Sequence, residues 1–223
     1  MLSIISTPIG NLGDITLRAI ETLKQSHAIV CEDTRVTGNL LKQLQIEKKE
    51  LISVHGYTDP SKVEWLTQRL TRGEHLLLVS YAGTPGISDP GFALVSKARS
   101  AGVAIEVLPG PAAFLAALSG SGLPIHQFVY LGFLPLKKGR KTLLLSLTSE
   151  ERTIVFYESV HRIERTLLEL AEALATQPDR KVVIARELTK MHEEFVSSTV
   201  AGLPDVAKSI TKKGEFVVVI GAL

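Results

Sequence analysis

Four short stretches concentrate the residues that could do chemistry: "TPIGNLGD" (7–14), "CEDTR" (31–35), "YAGTPGISDPG" (81–91) and "PGPAA" (109–113). Glycine lets a backbone come close to a ligand and offer its N–H and C=O groups, and proline fixes such a loop in advance. The pattern suits an organic ligand held by main-chain hydrogen bonds. Tight connections between strands and helices would read the same way for any one loop, but less so for four. No G-x-x-x-x-G-K-[ST] or G-x-G-x-x-G occurs, so none is a standard phosphate loop.

Charged residues gather further along. "FYESVHR" carries Glu158, His161 and Arg162, and "ARELTKMHEE" carries Arg186, Glu187, Lys190, His192, Glu193 and Glu194. An ion pair between domains or subunits is one reading of Glu158 and Arg186. "PLKKGRKTL" (135–143) holds four cations, either as a solvated surface loop or in contact with phosphate. Scattered histidines without H-E-x-x-H spacing argue against a metal site, and no G-x-S-x-G elbow supports a serine nucleophile.

The elements that must position these residues follow from the apolar runs. "LSIIS", "AIVCE", "ELISV", "HLLLVS" and "AIEVLPG" are continuous rather than alternating, as strands covered on both faces should be. Amphipathic stretches between them predict helices. Asp14 is expected to cap the first, Gly73 to follow the end of another, and Asp89 with Pro90 to start a third. Beyond "SGSGLPIH" come five strands, "QFVYLGFL", "RTIVFYES", "RKVVIARELT", "EEFVSSTV" and "GEFVVVIGAL", with helices at "GRKTLLLSL", "HRIERTLLELAEAL" and "LPDVAKSI". The expected fold is α/β in two domains, 1–121 with a mostly parallel sheet and 122–223 with a mixed one.

The 223 residues are 45% hydrophobic and 22% charged, enough for proper cores without disulfides. A single cysteine, Cys31, fits a reducing cytoplasm. No signal peptide is evident at the N-terminus, and no apolar run approaches the length of a membrane helix. A formal net charge of +2 neither requires nor excludes nucleic acid.

"STPIGNLGDITLRA", "EDTR", "AGTPGISDPG", "LPGPAA", "SGLP", "FVYLGFLP", "TIVFYESVHRI", "ARELTKMHEE" and "KGEFVVVI" occur in one order along nearly the whole chain. Together they closely resemble the small-subunit ribosomal RNA 2′-O-methyltransferase I family of the tetrapyrrole methylase superfamily. The resemblance implies S-adenosylmethionine in a cleft between two α/β domains. It also implies a homodimer, and methylation of a cytidine ribose in small-subunit ribosomal RNA, within the assembled subunit. By the same matching Pro8, Ala82, Gly83, Thr84, Ile87, Ala112 and Ala113 would meet the cofactor. Tyr157, Glu158, Leu188, Gly214, Glu215 and Phe216 would close over it, with backbone contacts.

A ribose hydroxyl is a poor nucleophile, so a base, or a cation for its developing charge, should help. The candidates are Asp33, Arg35 and Lys190. Three features depart from the family pattern. Tyr81 stands where aspartate is usual, Gly-Tyr-Thr-Asp follows His55, and family members often carry a further segment beyond the equivalent of Leu223. A superfamily enzyme acting on a tetrapyrrole or another small molecule, and a cofactor- or RNA-binding homologue without catalysis, remain alternatives.

Overall fold

A computed structural model describes every residue except Tyr57, so the Gly-Tyr-Thr-Asp departure lies partly outside the described residues. Two compact units form, Met1–Ala112 and Ala113–Leu223.

The first unit holds β1 (Leu2–Ile5), α1 (Leu17–Gln25), β2 (Ala28–Cys31), α2 (Thr34–Gln43), β3 (Glu50–Ser53), α3 (Pro60–Thr71), β4 (Leu76–Val79), α4 (Phe92–Ser100) and β5 (Ile105–Leu108). Its sheet is parallel throughout, in the order β3-β2-β4-β1-β5. The central strands β1, β2 and β4 are buried at every position, while the edge strands β3 and β5 are not. Alternate residues point to opposite faces. Leu2, Ile4, Val30 and Leu78 therefore pack with Leu66 and Leu70 of α3 and Leu94 of α4. Ile5, Ile29, Cys31 and Val79 meet Ala19 and Leu23 of α1 and Leu41 of α2 on the other face.

The second unit holds α5 (Ala113–Gly120), β6 (Phe128–Phe133), α6 (Arg140–Ser146), β7 (Thr153–Ser159), α7 (Ile163–Ala173), β8 (Lys181–Arg186), β9 (Glu194–Thr199), α8 (Leu203–Ser209) and β10 (Glu215–Ile220). Its sheet runs β6-β7-β10-β8-β9, with β6 and β7 parallel and the other pairs antiparallel. Leu144 of α6, Leu167 and Leu170 of α7 and Leu203 of α8 cover Phe156, Ile184 and Val218 on one face. Helix α5 packs on β7 and β10. It therefore goes with this unit, although the sequence placed it before the division at residue 121.

Local expectations shift in two places. Thr16 caps α1, its hydroxyl accepting from the Ala19 amide, while Asp14 lies in a preceding 3₁₀ turn. Gly91, at φ 134°, precedes α4, so neither Asp89 nor Pro90 opens that helix. Gly73 does follow α3, at φ 95°. Among the described residues no helix is long and apolar enough to cross a membrane.

Candidate active site

In a parallel sheet the loops leaving the carboxyl ends of adjacent strands lie side by side. Strand β1 lies between β4 and β5, so "TPIGNLGD", "YAGTPGISDPG" and "PGPAA" become neighbours. They are joined as well as adjacent. Thr7 and Gly83 exchange two backbone hydrogen bonds, each 2.9 Å. The Thr84 hydroxyl lies 2.9 Å from that of Ser6 and donates to the Pro111 carbonyl at 3.0 Å. Ser80 Oγ donates to the Gly83 carbonyl at 3.2 Å.

This cradle has little room for side chains. Gly83 has φ 83°, and a Cβ there would meet Ile9 Cγ2 at 3.4 Å and the Pro111 carbonyl at 3.6 Å. A Cβ on Gly110 would come within 2.8 Å of Ser6 Cβ. The Thr7 hydroxyl is buried and has no hydrogen-bond partner among the described residues. Such orphaned groups are rare and are a feature that a bound polar ligand can resolve. Pro8, Ala82, Gly83, Thr84, Ile87 and Ala112 all belong to these joined loops.

Beside the cradle, the loop after β2 neighbours the loop after β4. Asp33 caps α2 and accepts from the Arg35 amide and guanidinium, both at 2.8 Å. Those bonds hold its carboxyl down at about 2. Arg35 is exposed, and its charge is favoured by Asp33 first and by nearby Tyr81 to a lesser degree. Tyr81 is itself exposed, so it fills no core position. Asp89 is the opposite of Asp33. Burial, and then the neighbouring Glu32 charge, push it up to about 6 against a hydrogen bond from Ser80. Its position before Pro90 marks Asp89 as a helix cap in the sequence, and nothing there marks it as a titrating group. Its burial arises from contacts that local pattern does not encode.

In the second unit Leu188, Gly214, Glu215 and Phe216 are brought together with Lys190. The Glu187 amide donates to the Glu215 carbonyl, and the Glu215 amide donates to Glu187 Oε1, both at 3.0 Å. Lys190 Nζ reaches Glu187 at 2.9 Å and Glu215 at 2.8 Å. Partial burial lowers the affinity of Lys190 for its proton, but the two carboxylates outweigh this and raise its pKa. Lys190 is thus a held cation and not a base. Glu187 and Thr189 both sit at positive φ, 51° and 65°. That conformation costs energy for non-glycine residues and often marks functional loops.

Glu158 is fully buried, and its carboxylate is consumed inside the unit. It accepts from the Ser159 amide at 2.7 Å, from Arg162 at 2.8 Å and from Thr166 at 2.7 Å. Arg186 pairs with Glu194 at 2.9 Å. Glu158 and Arg186, read as ion-pair residues between domains or subunits, each have a charged partner within the second unit. The Glu158 side chain is therefore not available to a ligand. Tyr157 accepts from the Phe114 amide at 3.3 Å, directly after Ala113. Arg140, read as part of a basic loop, is buried in α6 and bonded to Glu169 and Thr166, both at 2.7 Å. It is therefore structural and makes no phosphate contact.

Among the described residues no group of three or more His, Cys, Asp or Glu is placed to hold a metal ion. The Tetrapyrrole (Corrin/Porphyrin) Methylases family profile matches residues 1–204. The chain is 46% identical over 222 residues to ribosomal RNA small subunit methyltransferase I of Xylella fastidiosa, covering 98% of this chain and 80% of that protein. It is 45% identical to the protein of that name from Synechocystis, covering 99% and 78%. A solved uroporphyrin-III C-methyl transferase from Thermus thermophilus, complexed with S-adenyl homocysteine, superposes with a TM-score of 0.66. That match is 18% identical and covers 99% of this chain and 96% of that one, which speaks to the fold. By these matches the chain belongs to the tetrapyrrole (corrin/porphyrin) methylase family, alongside relatives named ribosomal RNA small subunit methyltransferase I.

Proposed function

We propose that this protein is an S-adenosylmethionine-dependent methyltransferase that modifies the ribose 2′-hydroxyl of a cytidine in small-subunit ribosomal RNA. The observation that carries the reading is 46% identity across 98% of the chain to a relative named for that RNA. The joined glycine loops support the cofactor part. The close backbone at Gly83 and the unpartnered Thr7 hydroxyl fit a polar organic group lying against the sheet edge.

In this reading Pro8, Ala82, Gly83, Thr84, Ile87, Ala112 and Ala113 bind the cofactor, with the backbone around Tyr157, Glu158, Leu188 and Gly214–Phe216. The bound cofactor supplies an already activated methyl group. The chain's own work is then to orient the hydroxyl, exclude water and manage one proton. Asp33, held near 2, is a weak base, so its role beside Arg35 is to fix that guanidinium. Arg35 and Lys190 are cations suited to a developing alkoxide. Asp89, near 6, has the proton affinity a general base needs. The protein works as a homodimer in the cytoplasm, on the assembled small subunit.

Calorimetric titration with S-adenosylmethionine, followed by incubation with small ribosomal subunits and mass spectrometry of the RNA, tests this. Saturable binding and a ribose-methylated cytidine are expected. A methyl group on a base, or no uptake of cofactor by the native protein or by Tyr81→Asp, would overturn it.

A further inference from the structure

We infer that the open flank of the second sheet, the aromatic face of β6 with the lysines that follow it, is a docking strip for single-stranded RNA. The inference deepens the reading of an RNA substrate and rests on it.

The strip begins with a backbone irregularity. Strands β6 and β7 pair in register from Phe128 to Tyr130, then the register shifts before Phe133 meets Tyr157. Gly132 takes φ 62° at that point. An inserted residue re-aims the side chains beyond it. Strict alternation would turn Phe133 away from the face that carries Phe128 and Tyr130. With the bulge it returns to them. The rings then run continuously. Phe114 lies 6.2 Å from Phe128 and 4.6 Å from Tyr130, and Tyr157 lies 5.5 Å from both Tyr130 and Phe133. Phe114, on α5, is buried, while at the edge strand Phe128 is 37% and Phe133 53% exposed.

An apolar face alone would not name its occupant. Here charge does. Residues 127–141 contain four cations and no Asp or Glu. Arg140 is spent inside the unit. Its Nη1 donates to the Pro135 carbonyl at 3.1 Å, and Arg162 donates to the Leu134 carbonyl at 2.9 Å. Those two arginines are held by Glu158, Glu169 and Thr166 and make a rigid root for the loop. Lys137, Lys138 and Lys141 are exposed, and their ammonium groups have no partner among the described residues. Exposed rings beside unpaired, firmly rooted cations match a single strand, whose bases stack and whose phosphates are neutralised. A second copy of the chain would bring no acid to this segment from its own β6.

The test is fluorescence anisotropy of the full chain with a labelled, unpaired RNA oligonucleotide over a salt series. Phe133→Ala should weaken binding about tenfold, and Phe133→Trp should restore it. The Lys137→Ala, Lys138→Ala double variant should lower the salt slope by about 1.4, roughly 0.7 for each phosphate contact. Calorimetry with S-adenosylmethionine should show cofactor affinity unchanged in all three. Equal RNA affinity for Phe133→Ala together with an unchanged slope for the lysine variant would overturn the inference. So would a shift from dimer to monomer in sedimentation with RNA binding intact, since the strip would then be a protein interface. A protein that binds RNA through Phe133 but transfers no methyl group supports the strip and ends the methyltransferase reading.

Discussion

Thr7 and Gly83 hold each other through a pair of backbone hydrogen bonds of 2.9 Å, although 76 positions separate them in the numbering. The pair closes the loop after β1 onto the loop after β4. It also leaves the Thr7 hydroxyl buried beside the junction without a partner.

Replacing Gly83 by alanine should therefore act twice. A residue with a Cβ pays about 1–2 kcal/mol for a left-handed conformation, and the Cβ would also narrow the space between Ile9 and Pro111. Thermal unfolding should show a lower Tm, and calorimetry a weaker S-adenosylmethionine affinity. Unchanged affinity in the folded variant would place the cofactor elsewhere.

Gly214 faces a harder limit. A Cβ there would collide with the Glu187 carboxylate, and φ is 87°. Gly214→Ala should force the Glu187 carboxylate out of its bonds to Lys190 and the Glu215 amide, at a cost of about 2–3 kcal/mol. Denaturant unfolding measures that cost. The Lys190 hydrogen bond is the main reason Glu187 lies below the ordinary carboxylate range. Its contribution is present above the unfolded carboxylate pKa and fades as pH falls through the lower folded one. The contribution of Lys190, whose pKa is raised, is full below the ordinary lysine value and fades as pH rises past the folded one. Glu187→Gln should flatten the acid limb of the stability curve.

Asp89 has the opposite sign. Its folded pKa of about 6 lies above the ordinary 3.8, so the native state holds a proton that the unfolded chain has lost. Stability from this group is greatest below the unfolded pKa and falls as pH rises through about 6. Asp89→Asn should raise Tm at neutral pH and leave it nearly unchanged near pH 4. The same variant should slow methyl transfer by about a hundredfold or more if the carboxylate serves as base. Wild-type rates at neutral pH would remove Asp89 from the chemistry.

Glu158→Gln should cost about 3 kcal/mol, because it leaves the half-buried guanidinium of Arg162 without its counter-charge and that of buried Arg140 with Glu169 alone. Urea unfolding reads the loss. RNA anisotropy should show weaker binding too, since the same arginines hold the carbonyls of Leu134 and Pro135.

Among the described residues, all ten strands were legible from the sequence, and six of the eight helices as amphipathic or capped stretches. The two that escaped did so for opposite reasons. Helix α2, "TRVTGNLLKQ", mixes β-branched residues with a glycine, and its cap, Asp33, looked like part of a reactive loop. Helix α5, "AFLAALSG", is apolar almost all round, so no periodicity marks it. The glycine loops, and the motifs they belong to, were visible because backbone demands for glycine and proline are local.

Sequence by itself determined the alternation of strands and helices, the glycine-rich loops at strand ends and the family they resemble. These depend on side-chain type and near-neighbour spacing. The tertiary structure alone decided that β1 enters between β4 and β5, which joins three of those loops into one cradle. It alone separated Arg140, buried against Glu169, from Lys137 and Lys138 in the open. It also turned Phe133 onto the aromatic face through the bulge at Gly132. Burial and charge pairing are set by contacts between residues far apart in the chain, and such contacts leave no mark in local composition or period.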